Sequence, residues 1–225
     1  FGATPVESVK RIGGGATTAL TLRVETGGRS YLLRVEGEPS PLRNPYQYES
    51  MRIAAEVGIA PKIHYLDESA RVVVMDWIEC RPLQEYPGGR EALSPALGEL
   101  LRRLQDAPVF PPFVDYPDIV SRLFAHVRRT GLFAAGLLDA HVAHLERVQE
   151  RYKTGLGRLV SSHNDLHPGN VLFDGQRLWL IDWEYGAFGT ALFDLANRNQ
   201  RPIGVNRDRA GFDWRIAEIV NRSAN

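Results

Sequence analysis

One segment constrains the fold of this chain more than any other, because polar residues at fixed spacing are followed there by two short apolar runs. The segment begins with the sequence HNDLHPGN at residues 163–170, which contains Asp165 and Asn170. An apolar run, an Asp-Gly turn and a second apolar run follow, and they lead to Asp182. Two apolar runs joined by Asp-Gly predict a β-hairpin. The hairpin would hold Asp182 rigidly beside the loop that carries Asp165 and Asn170.

These three side chains are of the types that phosphoryl transfer with a divalent cation requires. One carboxylate orients the attacking hydroxyl group, while an amide oxygen and a second carboxylate are oxygen ligands of the kind that Mg²⁺ binds. We therefore predict that Asp165 acts as the catalytic base, with His163 beside it as a second catalytic residue. Asn170 and Asp182 are the predicted Mg²⁺ ligands. A single Asp is better explained as a turn residue or a helix cap, whereas the whole set in this order is not.

The first third of the chain is predicted to form a small antiparallel sheet with one helix, and the remainder is predicted to be mainly helical. The stretch after Trp77 breaks regular structure, so we place an amino-terminal nucleotide-binding lobe at residues 1–78. Residues 79–225 then form a carboxyl-terminal helical lobe with the catalytic loop and the acceptor site. The predicted strands and helix of the first lobe lie at 6–12, 20–25, 31–36, 63–66, 72–77 and 44–57.

Two backbone segments of the first lobe would suit a nucleotide. Gly13, Gly14 and Gly15 lie between the first two strands, where N–H groups free of side chains could approach phosphates closely. Taken alone, these glycines fit a plain tight turn better. The connector after the last strand, at Asp76 and Ile78, could offer backbone groups to the edge of an adenine base.

Side chains of the first lobe supply a candidate phosphate-binding cation. Arg34 lies on the third predicted strand, and we expect it to contact the nucleotide phosphates while the carboxylate of Glu49 holds it from the helix. Taken alone, Glu49 fits a solvated surface position better. In the second lobe, His141 and His144 lie three residues apart on a predicted helix. A metal pair is conceivable there, and surface or packing roles fit these histidines better.

The composition excludes several classes of partner. The 27 basic and 27 acidic residues balance, which argues against nucleic acid and against anionic membranes. No apolar run reaches the roughly 18 residues of a transmembrane helix. Cys80 is the only cysteine, so we expect no intrachain disulfide and a reducing, cytoplasmic location. A homodimer is compatible with the sequence.

The segment HNDLHPGNVLF…LWLIDWEY is similar to the catalytic segment of the choline/ethanolamine kinase and aminoglycoside phosphotransferase superfamily. The resemblance extends from about Val6 to Asn197. It implies an α+β, two-lobed protein-kinase-like fold, with ATP and Mg²⁺ as cofactors. Asp194, in the sequence GTALFDLAN, resembles a structural Asp that braces the catalytic loop of the superfamily.

Two details of the sequence resemble choline kinase-like enzymes in particular. Arg34 lies where most kinases have Lys, and IDWEY at 181–185 resembles bacterial choline kinase and thiamine kinase-like proteins. We therefore predict a kinase that phosphorylates the hydroxyl of choline or ethanolamine. Carboxylates and aromatic faces would bind the amino alcohol, although each candidate fits core packing as well, and Trp214 fits it better. The candidates are Glu184, Tyr185, Phe188 and Trp214.

Other functions remain open on the same fold. Thiamine or an aminoglycoside could be the acceptor in place of choline. A non-catalytic nucleotide-binding protein is a further alternative, and Arg34 in place of Lys is the feature in its favour. Members of the superfamily usually continue through several helices after the segment that 193–196 matches, and those helices form much of the acceptor pocket. Only 28 residues follow Asn197 in this sequence.

Overall fold

A five-stranded antiparallel sheet with one helix forms the amino-terminal part of the computed structural model, which describes residues 4–13, 19–37, 44–113, 116–155, 159–190 and Asp194. Across the sheet the strands are β1 (Val6–Arg11), β2 (Leu20–Thr26), β3 (Arg29–Val35), β5 (Val72–Asp76) and β4 (Ile63–Asp67), and every neighbouring pair is antiparallel. All five predicted strands and the predicted helix are therefore present, with ends shifted by a few residues. The helix is α1, Gln47–Glu56.

The remainder of the described chain is mainly helical and carries two small two-stranded sheets. In one of them β6 (Leu159–Ser162) pairs with β9 (Ala187–Thr190). In the other, β7 (Val171–Phe173) and β8 (Leu178–Leu180) form the predicted hairpin around Gly175. A single 3₁₀ turn, Pro168–Asn170, leads into this hairpin. The helices are α2 Gly89–Gln105, α3 Tyr116–Thr130 and α4 Asp139–Gly155.

The starts of two helices differ from what the sequence pattern predicts, namely a cap at Asn44 for α1 and, for the next helix, a cap at Ser94 with Pro95 in its first turn. Asn44 does not cap α1 directly. Its Oδ1 accepts a hydrogen bond from the backbone N–H of Tyr46 at 2.9 Å, which forms a turn ahead of the helix. Helix α2 begins at Gly89 and not at Ser94, so Pro95 lies inside the helix. Gly88, with φ of 79°, lies directly before α2, and its left-handed conformation turns the chain into the helix. The pattern around Pro95 gave no sign of this earlier start.

The carboxyl-terminal end of α1 is fastened to the second lobe by two guanidinium groups. Arg103 of α2 donates to the carbonyl of Val57 at 2.8 Å, and Arg177 of the hairpin turn donates to the carbonyl of Gly58 at 2.6 Å. Helix carbonyls at this end lack partners within the helix and carry partial negative charge, so cations stabilise them. The N–H of Leu180 also donates to the carbonyl of Ile59 at 3.0 Å. These bonds connect the hairpin and α2 to the end of α1.

One apolar core continues from the amino-terminal sheet to the hairpin. Side chains of α1, β5, α2, β7 and β8 all contribute buried members to it. Within the described residues, no helix is both long enough and apolar enough to cross a membrane. The largest fully buried apolar side chains are Trp183, Phe110, Phe173, Ile59, Leu101, Leu104 and Leu180.

Truncation of a buried hairpin side chain should destabilise the whole fold. We expect Leu180→Ala to lower the free energy of unfolding by about 2–5 kcal/mol, because Leu180 is fully buried and a cavity would remain. Leu132→Ala is the matched control, since Leu132 is 79% exposed, and we expect a change within about 0.5 kcal/mol. Urea denaturation followed by tryptophan fluorescence measures both. Equal losses in the two variants would contradict the position of the hairpin in the core.

Candidate active site

The backbone of the loop at 163–170 is held from beneath by one buried carboxylate. Asp194 Oδ2 accepts a hydrogen bond from the N–H of His163 at 2.9 Å, and its Oδ1 accepts one from the N–H of Asn164 at 2.7 Å. Asn164 has φ of 63°, a left-handed backbone conformation that residues other than glycine seldom adopt. The two bonds stabilise that strained turn. Burial raises the pKa of Asp194. Asp194 therefore braces the loop, as the resemblance implied.

The contacts of His163 favour a positioning role over the catalytic role that we predicted. It is fully buried, and its Nε2 lies 2.8 Å from the carbonyl oxygen of Ile181 while its Nδ1 accepts from the N–H of Asp165 at 3.3 Å. Because Nδ1 accepts a hydrogen bond, Nε2 is the donor toward the Ile181 carbonyl. The ring also packs against Trp183, with centroids 4.7 Å apart. With both nitrogens used by backbone groups, His163 connects the loop to the hairpin and has no free nitrogen for proton transfer.

Asp165 and Asn170 are joined directly within the loop. Asn170 Nδ2 donates to the backbone carbonyl of Asp165 at 2.9 Å and to its carboxylate Oδ2 at 3.1 Å. The side chain of Asp165 is 42% exposed, so an acceptor molecule can reach it. Burial is the largest influence on this carboxyl group and raises its pKa, and the nearby carboxylate of Asp182 acts in the same direction against His167 and His163. Asp165 is thus a half-buried carboxylate with a fixed orientation.

The hairpin brings the second predicted metal ligand to the same place. The N–H of Ile181 donates to the carbonyl of Asn170 at 3.1 Å, so the residue that follows, Asp182, lies next to the loop. Asp182 has φ of 68° and a side chain that is 32% exposed. This left-handed conformation turns the chain away from the strand direction just after the hairpin ends.

The donor atoms left in this region fit Mg²⁺. Because both contacts of Asn170 Nδ2 are with oxygen acceptors, the orientation of the amide is fixed and its Oδ1 is left for another partner. Within the described part of the chain, no group donates to that oxygen. An amide oxygen and a carboxylate are hard ligands of the type that Mg²⁺ takes, with water and phosphate oxygens completing the shell. No group of three or more His, Cys, Asp or Glu residues forms a metal site in the same part of the chain, His141 and His144 included.

Arg34 reaches into this region from β3, but its partners differ from the prediction. Its Nη2 donates to Glu184 Oε1 at 2.6 Å, and its Nη1 lies 3.4 Å from Asp182 Oδ1. Its Nε lies 2.7 Å from Glu36 Oε1, an ion pair in which the N–H does not point along the contact. Burial lowers the pKa of Arg34, and its three carboxylate neighbours together outweigh burial and raise it. The guanidinium stays charged and bridges the two lobes.

Glu49 does not pair with Arg34, so that prediction was wrong. It is exposed on the face of α1 that also carries Arg52 and Glu56, at the helical spacing of one outer stripe. Glu36, which the sequence analysis missed, takes its place beside Arg34 and is buried. The signal was available in the sequence, since residues two apart on a strand share one face.

The structure describes only some of the other residues that we predicted to contact the nucleotide. Gly13 is exposed with open space around it, whereas Gly14 and Gly15 lie outside the described residues. The carboxylate of Asp76 binds His64 Nε2 at 2.6 Å, so its side chain faces the outer surface of the sheet edge. Ile78 lies in the irregular connector, where its carbonyl accepts from the Cys80 thiol at 3.2 Å.

The predicted acceptor-binding residues follow Asp182 closely in the chain. Glu184 is occupied by Arg34, and Tyr185 is 39% exposed while its carbonyl accepts from Asn164 Nδ2 at 2.9 Å. Phe188 lies half-buried on β9. Trp214 lies outside the described residues. Among the candidates that the structure describes, Tyr185 is thus the exposed aromatic residue, and its backbone contacts the loop.

The bracing carboxylate can be tested by removing one of its two acceptor oxygens. We expect Asp194→Asn to lower the free energy of unfolding by about 1–3 kcal/mol, because one buried backbone N–H would face an amide NH₂ instead of an acceptor. Asp118→Asn is the matched control on an exposed helix position, with an expected change within about 0.5 kcal/mol. Urea denaturation measures both. An Asp194→Asn protein as stable as the control would show that the carboxylate does not hold the loop.

Curated relatives match only parts of the chain. Protein LicA of Haemophilus influenzae is 53% identical over 34 residues, which are 15% of this chain and 13% of LicA. A probable ethanolamine kinase of Arabidopsis thaliana is 36% identical over 69 residues, 29% of this chain and 18% of that protein. The chain therefore aligns with less than one fifth of the length of either relative.

Solved structures match over most of the chain. A choline/ethanolamine kinase family protein from Mesorhizobium loti has a TM-score of 0.69 at 22% identity, covering 96% of this chain and 69% of that one. A thermostable mutant of aminoglycoside phosphotransferase APH(4)-Ia, in a ternary complex with ADP and hygromycin B, has a TM-score of 0.61 at 22% identity, with 85% and 71% covered. Both likenesses confirm the predicted two-lobed protein-kinase-like α+β fold. The model of the phosphotransferase enzyme family matches residues 8–198, and the chain belongs to this family.

Proposed function

We propose that this protein transfers the γ-phosphoryl group of ATP to the hydroxyl of a small amino alcohol, with choline and ethanolamine as the first candidates. The observation that carries the proposal is the loop in which Asn170 orients the half-buried carboxylate of Asp165 beside Asp182. Phosphoryl transfer depends on positioning and on charge neutralisation, and this arrangement would position the reacting groups and offer ligands for a cation that neutralises phosphate charge.

Each residue of the loop has a separate task in the proposed reaction. The acceptor oxygen attacks the γ-phosphorus, the bond from that phosphorus to the β–γ bridging oxygen breaks, and ADP leaves. Asp165 accepts the proton of the acceptor hydroxyl. Asn170 and Asp182 would hold Mg²⁺, which neutralises phosphate charge when it is bound. Arg34 lies at the edge of the same region and offers its guanidinium to the phosphates.

The choice of acceptor is supported by similarity and by one exposed side chain. The names of the Arabidopsis thaliana and Mesorhizobium loti proteins refer to ethanolamine and choline/ethanolamine kinases. Tyr185 is 39% exposed, and its backbone carbonyl accepts a hydrogen bond from Asn164, the residue before Asp165. A quaternary or primary ammonium group binds favourably over an aromatic face. Phe188 and Trp214 stay candidates for the remainder of that wall.

An aminoglycoside is the second candidate acceptor. The structure with bound hygromycin B resembles this chain to nearly the same degree as the choline/ethanolamine kinase family protein does. The lobe boundary after residue 78, the cytoplasmic location and the homodimer stay predictions. The acceptor experiment is designed to distinguish the proposed function from two alternatives, which are thiamine as acceptor and a non-catalytic nucleotide-binding role.

A panel of acceptors decides among these functions. We expect phosphorylated product with choline or ethanolamine, in the presence of ATP and Mg²⁺, at a higher kcat/KM than with thiamine or hygromycin B. Coupled detection of ADP and mass spectrometry of the product measure it, and addition of EDTA should stop turnover. Turnover of hygromycin B alone would select the second candidate. Nucleotide binding without turnover of any acceptor would favour the non-catalytic role.

The catalytic carboxylate has its own test. We expect Asp165→Asn to lower kcat by about 10²- to 10⁴-fold, because the acceptor hydroxyl loses its proton acceptor. Affinity for MgATP should stay largely unchanged, because Asp165 faces the acceptor and not the nucleotide. Asp106→Asn, at an exposed position on the end of α2, is the control and should keep full activity. An active Asp165→Asn enzyme would remove the base from the proposed mechanism.

A further inference from the structure

We propose that Glu184 is the positioning residue that orients Arg34 for the nucleotide phosphates. This inference rests on the proposed function, because it assumes a nucleotide as phosphoryl donor. It reassigns Glu184 from the acceptor wall, where the sequence analysis placed it, to the phosphate-binding side of the cleft. The carboxylate that holds the phosphate-binding cation would then come from the catalytic lobe and not from helix α1.

The geometry around the guanidinium distinguishes Glu184 from the other two carboxylates. The contact of Arg34 Nη2 with Glu184 Oε1 is 2.6 Å long and directional, while the contact of Nη1 with Asp182 is 3.4 Å and weak. The Glu36 carboxylate provides charge at 2.7 Å from Nε without a directed hydrogen bond. Short hydrogen bonds between charged groups fix orientation as well as providing energy. Glu184 therefore determines where the Nη1 edge of Arg34 points.

The Nη1 edge points toward the predicted metal ligand. Asp182 and Glu184 are separated by one residue, and the intervening Trp183 is buried against Phe110 and His163. Anchoring by the Trp183 indole fixes both carboxylates relative to the loop. Because Arg34 belongs to β3, the bond to Glu184 also sets the distance between the sheet and the catalytic loop. The side chains of Arg34 and Glu184 are only 15% and 27% exposed, so the bond is shielded from water.

The effect of charge alone and the effect of positioning would change the affinity for MgATP in opposite directions. The direction of the change therefore tests the proposal. Removal of a negative charge beside the phosphates would tighten binding of an anionic nucleotide if only long-range electrostatics mattered. Loss of orientation of Arg34 would weaken it, because the guanidinium would no longer face the phosphates. A weaker affinity in a neutral Glu184 variant therefore reports positioning.

The experiment is isothermal titration calorimetry of MgATP into the full chain, without any acceptor. We expect Glu184→Gln to weaken the affinity about tenfold, in line with the loss of a hydrogen bond between charged groups. Glu184→Asp, which keeps the carboxylate, should recover part of the loss. Glu56→Gln is the matched control on the exposed stripe of α1, and Glu49→Gln tests the helix-borne alternative. Both of these should bind MgATP like the original chain.

A second measurement guards against misfolding and against an indirect effect. Thermal unfolding is recorded for every variant, and Arg34→Lys is combined with Glu184→Gln. If Glu184 acts through Arg34, the double variant should bind MgATP no more weakly than Arg34→Lys alone, because interacting residues are not additive. With an acceptor from the panel, Glu184→Gln should leave the KM for that acceptor unchanged while the KM for ATP rises.

Several results would overturn the proposal. Unchanged or tighter MgATP binding in Glu184→Gln would do so, as would additive losses in the double variant. A rise confined to the KM of the acceptor would return Glu184 to the acceptor wall. Weaker MgATP binding by Glu49→Gln, together with normal MgATP binding by Glu184→Gln, would show that the carboxylate of helix α1 orients Arg34 instead. If the original chain does not bind MgATP at all, the proposed function fails together with this inference, whereas the other outcomes leave that function intact.

Discussion

The buried carboxylate of Asp194 is the constraint on which the geometry of the loop depends. Two consecutive backbone N–H groups, those of His163 and Asn164, donate to its two oxygens. This pair of bonds offsets the cost of the left-handed backbone at Asn164, the residue directly before Asp165. A carboxylate that accepts two backbone hydrogen bonds in a buried site is held rigidly. The loop that donates these bonds is therefore held in place as well.

The hairpin is connected to the same loop through a ring and through backbone groups. His163 binds the carbonyl of Ile181, and the Ile181 N–H binds the carbonyl of Asn170. The apolar side of the hairpin is part of the common core, with Leu180 and Trp183 buried. The candidate metal ligands are therefore carried by two elements that cannot shift independently. A preorganised site of this kind suits a reaction in which most of the catalysis comes from positioning.

The two lobes are joined by contacts on both sides of α1. Near its start, Asn44 and Ser50 both donate to the carbonyl of Gly186 at 2.7 Å. A Cβ at Gly186 would lie 3.1 Å from the Trp183 ring, so glycine allows this close approach. At its other end the two arginines bind the last carbonyls, and Arg34 connects the sheet to the hairpin. Helix α1 thus connects the lobes through both of its ends, whereas its exposed stripe, with Glu49, takes no part in these contacts.

The amino-acid sequence by itself determined the strands, the hairpin and the identity of the loop residues, because period-two apolar patterns and turn residues act locally. It also predicted Asn170 and Asp182 as the side chains for a cation. Only the tertiary structure decided what surrounds Arg34, because the carboxylates of Asp182 and Glu184 lie about 150 residues away in the chain and reach it through packing of the two lobes. The same holds for His163, whose burial turns a residue type typical of proton transfer into a structural link. Local pattern assigns a residue to an element, whereas the environment that gives it a role is formed by elements distant in sequence.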